Sequence, residues 1–234
     1  MRAFWLILNV IFWTILIGSA DLLVSLFDRG GKFISRTARI WSKIILWAGG
    51  IKYSVHGLEY LDPEKHYIFA ANHESIFDIP LAFAGLPFTM VAIAKQELKK
   101  IPIFGWAMSA GGFIFVNRSH HRKALESIAA AAESLQKTPR SILLFPEGTR
   151  SKDGQIQVFK KGGLALARKA GMAIVPVACC GTHEILSKNG ISFNNQDVKL
   201  RIGKPLEADQ ISSINDQELA RNVRDQVINL KNVD

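Results

Sequence analysis

The residues with the clearest chemical potential lie in Asn72-His73-Glu74-Ser75-Ile76-Phe77-Asp78. A histidine and an aspartate stand five positions apart there, directly after the apolar run Tyr67-Ile68-Phe69-Ala70-Ala71. A histidine at a strand end can act as a general base near neutral pH. An aspartate about one helical turn further on can hold the imidazole in the productive tautomer, as the acid of a Ser-His-Asp triad does. No Gly-x-Ser-x-Gly elbow supplies a serine nucleophile anywhere in the chain. The hydroxyl must then come with the substrate, which implies group transfer to an alcohol. A pair of ordinary turn or cap residues is the bland alternative, so the companions of this segment decide.

Three further segments end apolar runs with charge. Ile142-Leu143-Leu144-Phe145 runs into Pro146-Glu147-Gly148-Thr149-Arg150-Ser151. Ligands of α/β sheets bind beyond the carboxyl ends of strands, so Glu147, Thr149 and Arg150 would face a cleft. Gly148 permits close backbone approach, and an arginine grips phosphate bidentately. Gly111-Gly112-Phe113-Ile114-Phe115-Val116-Asn117-Arg118 repeats the pattern, and Lys95 follows Val91-Ala92-Ile93-Ala94, with Lys99 and Lys100 close behind. Each cation alone reads as a solvated surface charge. Together, Lys95, Arg118 and Arg150 follow strand ends on the edge assigned to His73, and a cationic pocket beside a base suits a phosphate-bearing alcohol. No Walker motif or Gly-x-Gly-x-x-Gly appears. Cys179 and Cys180 are adjacent and have no other cysteine to pair with, and no Cys/His spacing suggests a metal. The expectation is a site without metal or cofactor.

These residues need a scaffold. Short apolar strands are expected at Tyr53–Val55, Tyr67–Ala71, Thr89–Ile93, Phe113–Val116, Ser141–Phe145, Ala173–Ala178 and Val198–Ile202. Helical patterns fall near Ile76–Ala84, Gly105–Ala110, Arg122–Gln136, Gly162–Ala170 and Asp216–Asn229. This alternation predicts an α/β domain over residues 53–234, a mixed, largely parallel sheet flanked by helices. The segment Asp216–Asp234 reads as a capping helix with an apolar stripe of Leu219, Val223, Val227 and Leu230.

Residues 1–52 differ in character. The chain of 234 residues carries a formal charge of +9 and a hydrophobic content of 48%, and the first 52 residues hold seven Lys/Arg against two acids. Basic charge interleaved with apolar residues points to an anionic membrane surface rather than nucleic acid. Ala3 to Ala20 bears no charged side chain, and the chain stays largely apolar to Phe27, long enough to cover a bilayer core as a helix. The run exceeds the h-region of a signal peptide and resumes after the small residues Gly18-Ser19-Ala20. A break at Asp28-Arg29-Gly30-Gly31 precedes a basic amphipathic pattern. Lys32, Arg36, Arg39 and Lys43 share one helix face, and Phe33, Ile40, Trp41, Ile44 and Trp47 are expected to fill the other. Trp5, Trp13, Arg36, Arg39, Trp41, Lys43 and Trp47 are therefore the expected membrane contacts. A spanning first helix and a hairpin entering one leaflet both fit.

In order along the chain, Asn72-His73 with Asp78, Gly112-Phe113-Ile114 with Arg118, Phe145-Pro146-Glu147-Gly148-Thr149-Arg150, and Val175-Pro176-Val177 resemble the four signature blocks of the glycerolipid acyltransferase family. The likeness covers roughly residues 50–205 and is nearest to the bacterial 1-acylglycerol-3-phosphate (lysophosphatidate) acyltransferases. It implies that His73 is the general base and Asp78 its orienting acid. It implies that Arg118, Glu147, Gly148, Thr149 and Arg150 bind the acceptor's glycerol phosphate with help from Lys95, and that Pro176 shapes the acyl site. Phe159-Lys160-Lys161-Gly162 resembles the family's short basic turn. The amino-terminal pair resembles the membrane-embedding helices of bacterial members. The implied partners are lysophosphatidate, a phospholipid membrane, and acyl-CoA or acyl carrier protein as donor, at the cytoplasmic face of the cell inner membrane. Another lyso-acceptor, or a non-catalytic lipid-binding role, is the alternative left open.

Overall fold

The computed structural model describes residues 2–28, 31–117, 121–187, 190–191 and 198–233. Helix α1 (Arg2–Val24) and α2 (Lys32–Ala48) lead into β1 (Tyr53–His56), β2 (Tyr67–Ala71), α3 (Asp78–Gly85) and β3 (Met90–Lys95). After a 3-10 turn at Gln96–Lys100 come α4 (Phe104–Ala110), β4 (Ile114–Val116), α5 (His121–Lys137), β5 (Ser141–Leu144), α6 (Lys161–Ala170) and β6 (Ala173–Cys180). Short elements α7 (Thr182–Ile185), β7 (Leu186–Ser187) and β8 (Gly190–Ile191) precede β9 (Val198–Ile202), α8 (Ala208–Ser213) and α9 (Asp216–Lys231).

A seven-stranded sheet runs in the order β1-β9-β6-β2-β5-β3-β4. Every neighbouring pair in it is parallel except β6 with β9. The expected mixed, largely parallel sheet is thus present. Its central strands are apolar throughout because both faces are covered. Along β2, Tyr67, Phe69 and Ala71 enter one core with α2 and α3, whereas Ile68 and Ala70 enter a second core under α5, α6, α8 and α9. The parallel strands β2, β3, β4, β5 and β6 bring their carboxyl ends to one edge.

The amino-terminal helices form an antiparallel hairpin. Thr37 Oγ1 donates to Asp21 Oδ1 at 2.7 Å and Trp41 Nε1 donates to Thr14 Oγ1 at 3.0 Å, so the pairings run in opposite directions. The hairpin is docked on the sheet domain: Leu6, Ile45 and Leu46 belong to the same core as Phe69 and Leu81. Burying a side chain of this size contributes about 1.5–3 kcal/mol. Helix α1 also lies against α4. Gly18 makes that approach possible, because a Cβ there would sit 2.7 Å from Ile103 Cγ2.

Helix α2 departs from the two-faced pattern expected of it. Its inward face is Ile34, Ser35, Ser42, Ile45 and Leu46. Phe33, Ile40 and Trp47 point outward, beside the exposed Arg36 and Lys43 rather than opposite them. Two expected membrane contacts are turned inward instead. Arg39 Nη2 donates to the Phe88 carbonyl at 2.7 Å, and Trp41 is held by Thr14 and lies 6.4 Å from the Phe104 ring. A helix lying between a protein and a bilayer has two apolar faces, and linear spacing does not tell which residue serves which.

Candidate active site

The site grows out of the end of β2. The side-chain amide of Asn72 accepts from Cys179 N at 2.7 Å and donates to Cys179 O at 3.0 Å, continuing the β2–β6 ladder as the main chain leaves the sheet. His73 is therefore projected from the sheet edge. Its Nδ1 lies 2.8 Å from Asp78 Oδ2. The same oxygen accepts from Glu74 N at 2.7 Å and Ser75 N at 2.8 Å, and Oδ1 accepts the Thr182 hydroxyl. Asp78 is fully buried and opens α3, so its charge also faces a helix amino terminus. A carboxylate acceptor on Nδ1 requires the proton there, which leaves the lone pair on Nε2. The His73 ring stacks on Phe145, centroids 4.1 Å apart.

The loop after β5 braces this histidine. Glu147 is 2% exposed; its Oε1 accepts from His73 N at 2.7 Å and its Oε2 from Gln157 N at 3.1 Å. Ser151 N donates to His73 O at 2.8 Å. Burial raises the Glu147 carboxyl above its ordinary range, and those two backbone donors pull it part of the way back. Glu147 is thus a strut under the histidine rather than a group turned to a phosphate. Its neighbours behave differently. Gly148 adopts a φ of 73°, and a Cβ there would lie 2.9 Å from Lys160 Nζ, so glycine lets that ammonium settle against the loop. Thr149 and Arg150 are exposed.

Lys95 closes β3 at the same edge, with a solvated pairing to Glu97 at 3.4 Å. Lys99 lies 5.9 Å from the Phe115 ring centroid. The structure therefore gathers His73, Asp78, Lys95, Gly148, Thr149, Arg150 and Lys160 along one sheet edge. Arg118 lies outside the described residues. Pro176 is not brought to this group: it alternates with Val175 and Val177, and its side chain lies on the opposite core beside Gly203. Its ring occupies the point where β6 leaves its bridge to Leu206 and joins β9, a place where no ladder N–H is needed.

Three neighbours of the dyad carry no motif of their own. Thr182, fully buried after β6, reaches Asp78 and stands 3.3 Å from Glu74 Oε1. Glu74 is 4% exposed and forms an ion pair with Lys231 of α9. Lys231 also donates to the Gly154 carbonyl at 2.8 Å. Only the position of Glu74 inside the His-Asp segment hinted at involvement; Thr182 and Lys231 are distant in sequence.

A buried His-Asp pair beside lysine and arginine at the carboxyl edge of an α/β sheet is chemically equipped to take a proton from an anionic alcohol. The acyltransferase family model matches residues 52–180, and the chain belongs to that family. The 1-acyl-sn-glycerol-3-phosphate acyltransferase of Saccharomyces cerevisiae is 34% identical over 194 residues, which cover 82% of this chain and 64% of that protein. The Borreliella burgdorferi protein of the same name is 35% identical over 192 residues, covering 80% and 74%. The chain spans less than two-thirds of several such relatives, 60% of a chloroplastic one from Brassica napus among them. The crystal structure of the 1-acyl-sn-glycerophosphate (LPA) acyltransferase PlsC from Thermotoga maritima superposes with a TM-score of 0.77 at 29% identity, over 97% of this chain and 95% of that one.

Proposed function

We propose that this chain moves a fatty acyl group from a thioester, acyl-CoA or acyl carrier protein, to the sn-2 hydroxyl of 1-acylglycerol 3-phosphate, yielding phosphatidic acid for phospholipid synthesis. The observation that carries the reading is the Nδ1 bond of His73 to a fully buried Asp78, with Nε2 left as the base. The names of the relatives support the choice of acceptor. The acceptor's phosphate is held by Arg150, Lys160 and Lys95, with Arg118 of the second sequence block a further cation. Its hydroxyl gives its proton to His73 Nε2 as the oxygen attacks the thioester carbonyl. Asp78 stabilises the imidazolium that forms. The tetrahedral intermediate collapses, the C–S bond breaks, and the thiolate takes the proton back from His73. No covalent acyl-enzyme and no cofactor enters this scheme.

The membrane supplies the acceptor and receives the product. Helix α1 is long and apolar enough to cross a bilayer by length and composition. The proposed placement is the cytoplasmic face of the cell inner membrane, where soluble donor arrives. The test is acyl transfer by the purified protein in bilayers, with oleoyl thioesters, a panel of lyso-acceptors, and His73→Ala alongside. Transfer to lysophosphatidate that vanishes in a folded His73→Ala protein is the expected result. Near-normal transfer by that variant would sink the mechanism, and activity confined to another acceptor would change the substrate assigned.

A further inference from the structure

Helix α9 does more than cover the sheet. Arg224 donates to the carbonyls of Ile156 and Gln157, both at 3.0 Å, and Gln157 N in turn bonds Glu147, the strut of His73. From its last residue, Lys231 reaches past the sheet edge to Glu74 and to the Gly154 carbonyl. Arg201 fastens this end of the helix through the carbonyls of Leu230 and Val233. The helix thus holds both loops that build the site, the one carrying His73 and the one carrying Arg150.

The charge arrangement gives Lys231 a specific task. The His73–Asp78 segment contains two buried carboxylates, Asp78 and Glu74, which share Thr182. A hydroxyl has one proton to donate, and the shorter contact is to Asp78. Glu74 is left to Lys231, whose side chain is 25% exposed while that of Glu74 is 2% exposed. The titratable groups facing Glu74 are Asp78 on its own segment, the thiols of Cys179 and Cys180 from β6, and Lys231 from α9; Glu147 of the β5 loop faces His73 and Asp78, and Arg201 and Lys199 of β9 lie beyond Cys180. Burial pushes both thiols up, so they stay neutral. Among the described residues, Lys231 is then the ammonium in direct contact with Glu74, while Asp78 is met by His73.

We propose that Lys231 is a positioning residue for the transfer: held on Glu74 and the Gly154 carbonyl, its ammonium balances the second carboxylate beside the base and locks α9 onto both active-site loops. The inference rests on the reading of His73 as base. Because His73 acts only when Nε2 is unprotonated, kcat/KM rises as pH climbs through its titration, and the acid limb of the profile reports the field around it. Burial raises the Glu74 carboxyl and Lys231 pulls it back, so K231M lets that carboxyl take up a proton, and the limb stays close to its wild-type place while the tie to α9 is lost. E74Q leaves the ammonium unopposed and moves the limb to lower pH. The double variant E74Q/K231M restores it.

The experiment is the pH profile of acyl transfer for wild type, K231M, K231R, E74Q and the double variant in bilayers, with thermal unfolding of each. An E74Q limb lowered by about 0.5–1 pH unit and returned in the double variant is expected, with K231M losing about tenfold in kcat at neutral pH while KM for the acceptor stays within about twofold. K231R should recover most of the loss. If K231M does not fold, E74Q alone still reads, since its limb must move down. Coincident limbs in an active set, or a K231M loss accounted for by its lower Tm, overturn the inference and leave the His73 mechanism standing. No His73-dependent transfer by the wild type overturns both.

Discussion

At the scale of single residues, the proposed reaction divides the site into groups that would meet substrate and groups that hold those in place. Arg150 is of the first kind: exposed, and next to the Ser151 amide that holds the His73 carbonyl. Arg150→Ala is expected to raise the KM for lysophosphatidate at least about tenfold, with kcat little changed if the grip on phosphate is the same in ground and transition states. Steady-state kinetics over acceptor concentration check this. Thr182 is of the second kind. Thr182→Val removes a buried donor without changing shape, leaving Asp78 Oδ1 short of a partner at a cost of about 1–3 kcal/mol. Denaturant unfolding should show that loss, and kcat should fall with it as Asp78 gains freedom. His73 and Asp78 were legible in the sequence because both sit in one short segment, where spacing alone implies contact. Thr182 and Lys231 were not, since each meets the dyad only after the sheet has brought distant strands and helices together.

At the scale of elements, all seven strands of the sheet were legible, the inner β2, β5 and β6 as near-unbroken apolar runs buried on both faces and the outlying β1 and β9 as short alternations of apolar and polar residues. The short helices α7 and α8 were not, having too few residues to show a period. The faces of α2 were misjudged for a different reason. Phe33, Ile40 and Trp47 recur every seven residues and lie outward, while Ile34, Ile45 and Leu46 lie inward. The apolar signal at those two faces is the same, and only the docked position of the helix separates them. Helix α1 shows the same division: Trp5, Ile11, Phe12 and Ile15 are half-exposed or more, whereas Leu6 and Gly18 are buried. The outward residues of α2 should therefore govern membrane affinity without touching stability. Replacing Ile40 and Trp47 by alanine is expected to weaken binding to anionic vesicles by about tenfold or more, since each large apolar side chain withdrawn from the interface forfeits about 1.5–3 kcal/mol when fully buried. Vesicle sedimentation together with an unchanged melting temperature would bear this out; equal loss from Ile45→Ala without unfolding would refute it.

At the scale of the whole molecule, the hairpin is continuous with the core. Ile45 and Leu46 pack beside Phe69 and Leu81, and α1 covers parts of α2 and α4. A chain lacking residues 2–24 is therefore expected to aggregate or lose cooperative unfolding rather than to become a freely soluble enzyme. Size-exclusion chromatography and thermal melts of that truncation would check it, a monodisperse and active product being the contrary result. On the proposed placement, the docked geometry also fixes the distance between bilayer and His73, because the amino-terminal helices share a core with the strand that leads to His73.

The strand order carries one more implication, concerning the route to the native state. Strand β1 lies at one end of the sheet and pairs with β9, Tyr53 opposite Val198, although it is the first strand to be made. Closing so long a loop is entropically costly, and contacts of this separation slow folding. The inner strands β2, β5 and β3 can assemble from nearer neighbours, while β1 must wait, its pairing edge open, until β9 arrives. During that interval the nascent chain carries a lipid-seeking hairpin next to an unpaired strand. Early capture of α1 by the bilayer would tether that edge and keep it from meeting the same edge on another molecule.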